Sequence, residues 1–220
     1  MDGLDAHQLT ALFRLMSLRI DEARHMLGQL DGAIGDADHG NSMAEGFAAV
    51  VRASVQASSR GAGAGDLFAI AADSFLEAVG ATTGPLYASA FLSAGQRYRG
   101  MQSLRAADIP GLIPAFASGI AARGKASAGD KTMLDVWGPA ARAVVDAQAA
   151  GSAPLAVLDV ALEAAEEGRE ATRAMTATVG RASRLGQRSL GHVDPGAASA
   201  VIIIAALRDG LAVHLGQGAG

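Results

Sequence analysis

Apolar residues recur at three- and four-residue steps along most of this chain, and that spacing limits the fold more than any other feature. The first such run extends from Leu9 to Leu30 and forms a single apolar stripe on a helix. Strands would need short alternating runs of β-branched and aromatic residues, whereas aromatic residues make up only 4% of this chain. The sequence therefore predicts an all-α protein without strands.

Caps and breaks delimit about eight such segments. Asp5 and Gln8 have the spacing of a capping box, and Asp194-Pro195 joins a cap residue to a proline suited to a first helical turn. Because most links are short, neighbouring helices should run antiparallel, which predicts an up-and-down bundle forming one domain over 1–220. The predicted helices cover approximately 9–30, 43–58, 66–79, 85–98, 108–120, 130–144, 154–175 and 194–207.

The composition limits the classes of function. The chain has no cysteine and can form neither disulfides nor thiolate ligands. Its net charge of −4 gives no general attraction to nucleic acid or anionic lipid. The first residues are acidic where an export signal would be basic, and the longest charge-free stretch, 78–96, is interrupted by a polar junction. We therefore expect a soluble cytoplasmic protein that binds neither nucleic acid nor membrane.

The link 31–42 carries three carboxylates, Asp31, Asp36 and Asp38, interleaved with glycines that predict a tight loop. Ionised carboxylates this close repel one another unless a cation lies among them, and magnesium binds through a few carboxylates together with phosphate oxygens. The link is not an EF-hand, because Gly40 stands at the third ligand position. On this loop alone, a solvated turn explains the residues as well as a metal site does.

Alternate links of an up-and-down bundle open at the same end. The links after the first, third, fifth and seventh predicted helices would then share one rim, made of 31–42, 82–84, 124–131 and 181–196. Together they supply carboxylates for a metal, hydroxyl and N–H groups for oxygens, and cations for charge. Residues 39–42 precede an apolar helical run, so their N–H groups would face an anion. The rim is therefore the predicted site for a phosphate ligand.

For each remaining charged residue, a role in the site has to be weighed against an ordinary role in packing or at the surface. The two lysines of the chain, Lys125 and Lys131, both fall in the third rim link, which favours a function over two scattered surface charges. Arg184 and Arg188 are better explained as a solvated face, and Asp194 as a helix cap. The other candidates are assigned to packing or to the surface: His7, His25, Trp137 and His214.

Four motifs, in order, resemble the nucleotide-binding L subunit of dihydroxyacetone kinase, a domain that also forms the carboxy-terminal half of single-chain dihydroxyacetone kinases. They cover the chain almost from end to end, and together they are highly specific. The motifs are Leu-Asp-Gly-x-x-Gly-Asp-x-Asp-His-Gly at 30–40, Thr-Gly-Pro-Leu-Tyr at 83–87, Gly-Asp-Lys-Thr-Met-x-Asp at 129–135 and Gly-Arg-Ala-Ser-x-Leu-Gly-x-Arg-Ser-x-Gly-His-x-Asp-Pro-Gly at 180–196.

The resemblance implies a closed barrel of eight antiparallel helices that holds ADP or ATP at one end through two magnesium ions. It implies metal binding by Asp31, Asp36 and Asp38, with Arg181 stabilising charge during transfer. One departure is Ala81-Thr82, where the family usually has glycine and a small residue. The implied nucleotide contacts are His39, Gly40, Asn41, Ser42, Thr82, Thr83, Gly124, Met133, Arg181, Asp194, Pro195 and Gly196.

The predicted activity is phosphoryl transfer from a bound magnesium nucleotide to dihydroxyacetone. In the family, a separate K subunit binds the ketose covalently through a histidine, so the chain alone should be an incomplete enzyme. Either ADP stays bound and is recharged by a phosphotransferase-system protein, or ATP exchanges freely. Three alternatives stay open: a kinase for another short ketose or a fatty acid, a nucleotide sensor that binds a transcription regulator, and a helical scaffold without ligand. The sequence also leaves a homodimer open.

Overall fold

Nine α-helices follow one another along the part of the chain that the computed structural model describes, residues 3–217. The all-α prediction is confirmed, and each predicted helix has a counterpart. Short 3₁₀ segments lie at Ala106–Gly111, Thr172–Ala174 and Ala182–Ser189. The helices are α1 Ala6–Glu22, α2 Arg24–Ile34, α3 His39–Ser59, α4 Asp66–Ala78, α5 Thr83–Arg97, α6 Leu112–Arg123, α7 Leu134–Ala149, α8 Pro154–Ala171 and α9 Pro195–Gln217.

The helices pack as a ring. From α3 to α9 each helix packs on the next along the chain, α1 packs on α3, and α9 packs back on α1. The short helix α2 continues α1 beyond Ala23 and lies against α3 and α9. If α1 and α2 count as one broken helix, successive members of the ring are neighbours joined by short links, as in an up-and-down arrangement.

The acidic link is shorter than predicted. Helix α2 runs on through Asp31 to Ile34, and α3 begins at His39, so only residues 35–38 are irregular. The predicted first helix is also interrupted, at Ala23. Gly32 is exposed and sits in the last turn of α2, where a single glycine costs the helix only about 1 kcal/mol. The abundance of glycine therefore overstated the length of the loop.

The prediction of no strands was wrong in one place. Strand β1, Gly3–Asp5, pairs antiparallel with β2, Ser103–Arg105, so that Leu4 lies opposite Leu104. Both leucines are buried. Strands of three residues are too short to show an alternating pattern, so no sequence signal marks them.

The start of the sixth predicted helix was also misplaced. Helix α7 begins at Leu134 instead of near Asp130. The carboxylate of Asp135 accepts hydrogen bonds from the N–H groups of Gly129 and Thr132, and that of Asp130 accepts one from the Ser127 N–H. These side-chain bonds hold the backbone in turns that compete with a helix. The four residues before α7 therefore remain on the rim.

The core is built around a cluster of aromatic rings. Trp137 is fully buried, as predicted, and packs on Phe116 with 5.5 Å between ring centroids. Edge and tilted contacts of this kind add to the stabilisation from burying the rings. Phe91 lies at the centre and meets four other rings at centroid distances of 5.0–6.2 Å: Phe13, Phe47, Phe75 and Phe116.

Among the described residues, one helix is long and apolar enough to cross a membrane, over Pro195–Gly216 of α9, and 61% of that window is buried inside the protein. Its neighbours α1 and α8 cover it as a core helix. The charge-free stretch 78–96 is divided between the last residue of α4 and most of α5.

Candidate active site

A cleft of about 590 Å³ opens at one end of the ring. All four rim links contribute to it, together with the first turns of α3, α5 and α9. Sequence positions far apart, such as Asp36, Thr82, Lys125 and Arg181, therefore line one cavity. The inference that alternate links share one end agrees with this arrangement.

Three carboxylates converge at the mouth of the cleft. Asp31, Asp36 and Asp38 each offer an oxygen, and these oxygens lie within 4.8 Å of one another. Asp31 is buried in the last turn of α2, whereas Asp36 and Asp38 are exposed on the short link. Carboxylate oxygens at this spacing are the donor set that a hard divalent cation such as Mg²⁺ prefers. The residues present therefore fit a magnesium ion.

The backbone around Asp31 holds this cluster in place. Its Oδ2 accepts hydrogen bonds from the N–H groups of Asp38 and His39, at 2.9 and 3.2 Å. The second of these belongs to the first residue of α3, whose positive end stabilises the negative charge. A side chain at Gly35 would collide with the Asp31 carboxylate, which explains the glycine there.

Charge is partly balanced across the cleft by Arg181. Its guanidinium forms ion pairs with Asp36 and with Asp38, the latter at 3.2 Å. Burial, and then repulsion from Asp31, raise the pKa of Asp38 above its usual value. The site thus has surplus negative charge that one arginine does not remove.

Most of the predicted contact residues line the cleft, but Gly40 and Asn41 do not. A side chain at Gly40 would strike the carbonyl of Arg24, so Gly40 serves the close packing of α3 on α2. Asn41 is exposed and lies outside the lining. The residues that do line the cleft are His39, Ser42, Thr82, Thr83, Gly124, Met133, Arg181, Asp194, Pro195 and Gly196.

The imidazole of His39 belongs to the wall of the cleft. Its Nε2 lies 2.9 Å from the hydroxyl of Ser199 on α9, and the residue is buried. Burial lowers the pKa of His39 to about 4, despite the nearby carboxylate of Asp31. The ring is therefore neutral at pH 7 and joins α3 to α9.

Asp194 caps α9, as predicted. Its carboxylate accepts a hydrogen bond from the N–H of Ala197 at 2.7 Å, and its own N–H donates to the hydroxyl of Thr172 at 3.0 Å. Burial raises the pKa of Asp194 to about 7, although the Lys131 ammonium acts in the opposite direction. A carboxyl group that titrates near neutral pH thus lines the cleft.

The two lysines of the rim have different environments. Lys125 is exposed at the cleft, whereas Lys131 is only 2% exposed. The Lys131 ammonium donates hydrogen bonds to the carbonyls of Thr172 and His192, each at 2.5 Å. Burial lowers the pKa of this ammonium.

Arg184 and Arg188 are exposed and lie outside the lining of the cleft, as expected for a solvated face.

The family model described as the DAK2 domain matches residues 33–209. This range covers most of the chain and includes the Asp36/Asp38 pair, Arg181 and Asp194. The chain belongs to the DAK2 domain family. The resemblance inferred from the four motifs is thereby confirmed.

The sequences of individual relatives support this family assignment of the DAK2 domain. It is 36% identical over 189 residues to the "PEP-dependent dihydroxyacetone kinase 1, ADP-binding subunit DhaL" of Listeria innocua, covering 86% of this chain and 88% of that one. It is 37% identical over 190 residues to the "L-erythrulose 1-kinase" of Mycolicibacterium smegmatis, covering 84% of this chain and 32% of that one. It therefore spans nearly all of the first relative and about a third of the second.

A solved structure shows the same fold. The dihydroxyacetone kinase from C. freundii, in complex with AMP-PNP and Mg²⁺, superposes with a TM-score of 0.70 at 23% identity. The match covers 95% of this DAK2 domain and 34% of the C. freundii chain. The helical ring is thus a recurrent architecture that a longer kinase also contains.

Sequence reasoning missed two groups of residues in this DAK2 domain. The carboxylate of Asp135 is buried and shapes the rim link through its two backbone bonds, and its only signal was its place at the end of the third motif. The apolar residues of the cleft wall looked like ordinary core positions, because an apolar side chain in a helix gives the same pattern in both settings. Leu86, Ile120 and Leu134 are of this kind, whereas Ile34 and Val179 lie between the predicted helices, where no apolar period marks them.

Proposed function

We propose that residues 1–220 form the nucleotide-binding subunit of a dihydroxyacetone kinase. The subunit binds ADP or ATP with Mg²⁺ and passes the terminal phosphoryl group to dihydroxyacetone on a separate K subunit. The observation that carries this proposal is the convergence of three carboxylates and Arg181 at the mouth of one cleft. The Listeria innocua relative, matched over nearly its whole length, is named an ADP-binding subunit of such a kinase.

The residues of the cleft divide into three roles. Asp31, Asp36 and Asp38 would hold Mg²⁺, which supplies charge neutralisation to bound phosphates. Three carboxylates exceed what one magnesium ion needs when phosphates also bind, so two ions fit this set. Arg181 lies beside the carboxylates, where it can donate to a phosphoryl oxygen.

The remaining contacts hold the nucleotide. Ser42, Thr82, Thr83 and the first turn of α9 line the cleft, and their hydroxyl and N–H groups would donate to phosphate oxygens. The apolar wall at Leu86 and Ile120 offers a surface for the base. Catalysis in such a site depends on positioning and electrostatic stabilisation rather than on a protein nucleophile.

The ketose that accepts the phosphoryl group is expected to be bound by a partner subunit. His39 is the one histidine among the residues lining the cleft, and its ring is engaged with Ser199. No lining residue thus resembles the histidine that binds the ketose covalently on the K subunit of the family. The Listeria innocua relative is named PEP-dependent. We therefore propose that ADP stays bound, that a phosphotransferase-system protein recharges it, and that the chain acts in the cytoplasm.

Calorimetry with MgADP and an activity assay test this proposal. Saturating MgADP at a hundred times its dissociation constant should stabilise the chain by about 2.7 kcal/mol, and ADP without metal should not. The chain alone should not phosphorylate dihydroxyacetone, whereas the chain with a K subunit and donor should. A normal rate from the isolated chain, or ADP binding that ignores Mg²⁺, would contradict the proposal. Retention of ADP through gel filtration without exchange against labelled ATP would support recharging in place.

A second candidate function is phosphorylation of a four-carbon ketose. The 37% identity to a relative named L-erythrulose 1-kinase favours it, and this DAK2 domain matches about a third of that protein. Because the acceptor would be bound elsewhere, the cleft described here serves either ketose. Rates with dihydroxyacetone and erythrulose, measured with the natural K-type partner, separate the two candidates.

A further inference from the structure

Lys131 is buried at a position where the backbone is itself unusual. It lies in the link between α6 and α7 with φ = 62°, a left-handed conformation uncommon for a residue with a side chain. Lysine is almost never fully buried unless its ammonium is paired. The other lysine of the same link, Lys125, is exposed. The fold thus directs one of its two lysines into the interior beside the cleft.

The Lys131 ammonium binds the backbone at two separate places. It donates to the carbonyl of Thr172, directly after α8, and to the carbonyl of His192, two residues before Asp194. These two carbonyls bracket the polar segment 173–191, and that segment carries Arg181. One cation therefore holds both ends of the segment and joins them to the link before α7.

Further bonds close the base of this segment. The N–H of Asp194 donates to the hydroxyl of Thr172, and the N–H of Gly191 donates to the carbonyl of Arg173 at 2.8 Å. The hydroxyl of Thr178 donates to the carboxylate of Asp130, the residue before Lys131. The rim link and the polar segment are therefore one connected unit, with the ammonium at its buried centre.

We propose that Lys131 is a positioning residue for nucleotide binding: by clamping the carbonyls of Thr172 and His192, it fixes Arg181 and the Asp194–Gly196 turn at the cleft. This inference rests on the proposed function of the cleft. Without the ammonium, the buried carbonyl of Thr172 and the partly buried carbonyl of His192 lose a charged donor. The segment can then open, and Arg181 no longer stands at a defined distance from the carboxylates. Affinity for MgADP should fall by at least roughly tenfold, equivalent to about 1.4 kcal/mol.

The absence of native cysteine makes a clean test available. The Lys131→Cys variant carries a single thiol, which is alkylated in denaturant before refolding. Bromoethylamine restores an ammonium on a side chain of lysine length, and iodoacetamide gives a neutral side chain of similar size. The same pair of adducts on Arg52→Cys, at an exposed position of α3 outside the cleft, controls for alkylation and refolding.

Both Lys131→Cys adducts should refold. The ammonium adduct should bind MgADP within about threefold of wild type. The neutral adduct should bind MgADP at least roughly tenfold more weakly than the ammonium adduct. The two Arg52→Cys adducts should bind alike. Equal affinities for the two Lys131→Cys adducts would overturn the inference. A neutral adduct that cannot refold would overturn it too, because the ammonium would then serve the fold and not the position of the site.

Hydrogen exchange without any ligand tests the same inference independently of the proposed function. Amides of 173–194 should exchange faster in the neutral adduct than in the ammonium adduct, with helices α3 to α5 unchanged. Equal exchange in that segment would reject the clamp. If wild type itself failed to bind MgADP, the proposed function would fall, and this measurement would still decide whether Lys131 holds the segment.

Discussion

The two ends of the helical ring are held together by different kinds of bond. At the end where α1 begins, backbone groups pair across elements: β1 pairs with β2, and the N–H of Gly65 donates to the carbonyl of Met101 at 2.8 Å, beside a buried contact between the hydroxyls of Thr10 and Ser58. At the cleft end, side chains bind the backbone or one another, as Asp31, Lys131 and Arg181 do.

This difference separates stability from binding. Backbone pairing tolerates many side chains, so the β1–β2 end can vary as long as its apolar residues stay buried. Each side-chain bond at the cleft end requires one residue type, and several of these residues are buried charges that cost free energy in the folded protein. Such sites are where proteins give up stability for function. Substitutions at the two ends should therefore change different measured quantities.

The largest effect is expected from Asp38→Asn at the cleft end. MgADP affinity should fall at least roughly 100-fold, about 2.7 kcal/mol, because a metal ligand loses its charge. The metal-free variant should be no less stable than wild type, since burial and Asp31 already raise the pKa of Asp38 and so disfavour its charge. Calorimetry and thermal unfolding measure both. Asp73→Asn, exposed on α4, is the control, and an unfolded Asp38→Asn would count against this role.

At the opposite end, Leu104→Ala should reverse the pattern. Leu104 is fully buried opposite Leu4, so truncation should destabilise the protein by about 2–4 kcal/mol through lost burial and a cavity. MgADP affinity of the folded protein should stay within twofold of wild type, roughly 0.4 kcal/mol. Denaturant unfolding and calorimetry check the two values. A large loss of affinity would show that the two ends are coupled.

Asp194→Asn should change how stability depends on pH. The folded-state pKa of Asp194 is raised to about 7, so wild type loses stability as pH rises from about 4 to 7 while the carboxyl gives up its proton. Asparagine stays neutral and can still cap α9. The variant should therefore gain on wild type by roughly 1–3 kcal/mol between pH 5 and pH 8. Urea unfolding in EDTA measures this, and a constant difference across the range would contradict it.

The smallest effects, with opposite signs, are expected from Arg181→Gln. MgADP affinity should fall roughly tenfold as a phosphate partner is lost. Affinity for Mn²⁺ alone should rise by about two- to fivefold, because Arg181 no longer pairs with Asp36 and Asp38. Electron paramagnetic resonance measures the concentration of free Mn²⁺ and so gives the affinity for Mn²⁺ alone. Arg184→Gln, at an exposed neighbour outside the cleft, should alter neither constant, and weaker Mn²⁺ binding by Arg181→Gln would rule out the competition.

Sequence patterns predicted the helices well, because a core-facing stripe repeats over many residues in each. They also predicted which links meet, since the end at which a link opens follows from helix order alone. The exact extent of the acidic link was not predictable from glycine content, because Gly32 is tolerated inside α2. Strands β1 and β2 gave no signal, since their pairing uses backbone groups that every sequence possesses.

Within the site, residue type predicted chemistry better than position. Carboxylates clustered by sequence also cluster in space, because only four residues separate α2 from α3. Gly40 is hard to assign from sequence because close helix packing and phosphate contact both favour glycine. The burial of Lys131 depends on carbonyls 41 and 61 positions away, and no local pattern reports such distances.

The packing of α9 on α1 also has a consequence for how the chain folds. Within the described residues, the last helix of the ring meets the first, so this contact joins distant parts of the sequence. Until α9 docks, the faces of α1 and α8 that it covers lack their neighbour, and the contact between α1 and α9 is among the least local in the fold. Folding intermediates in which α9 has not docked therefore expose apolar surface of α1 and α8, and such intermediates are prone to aggregation and to capture by chaperones.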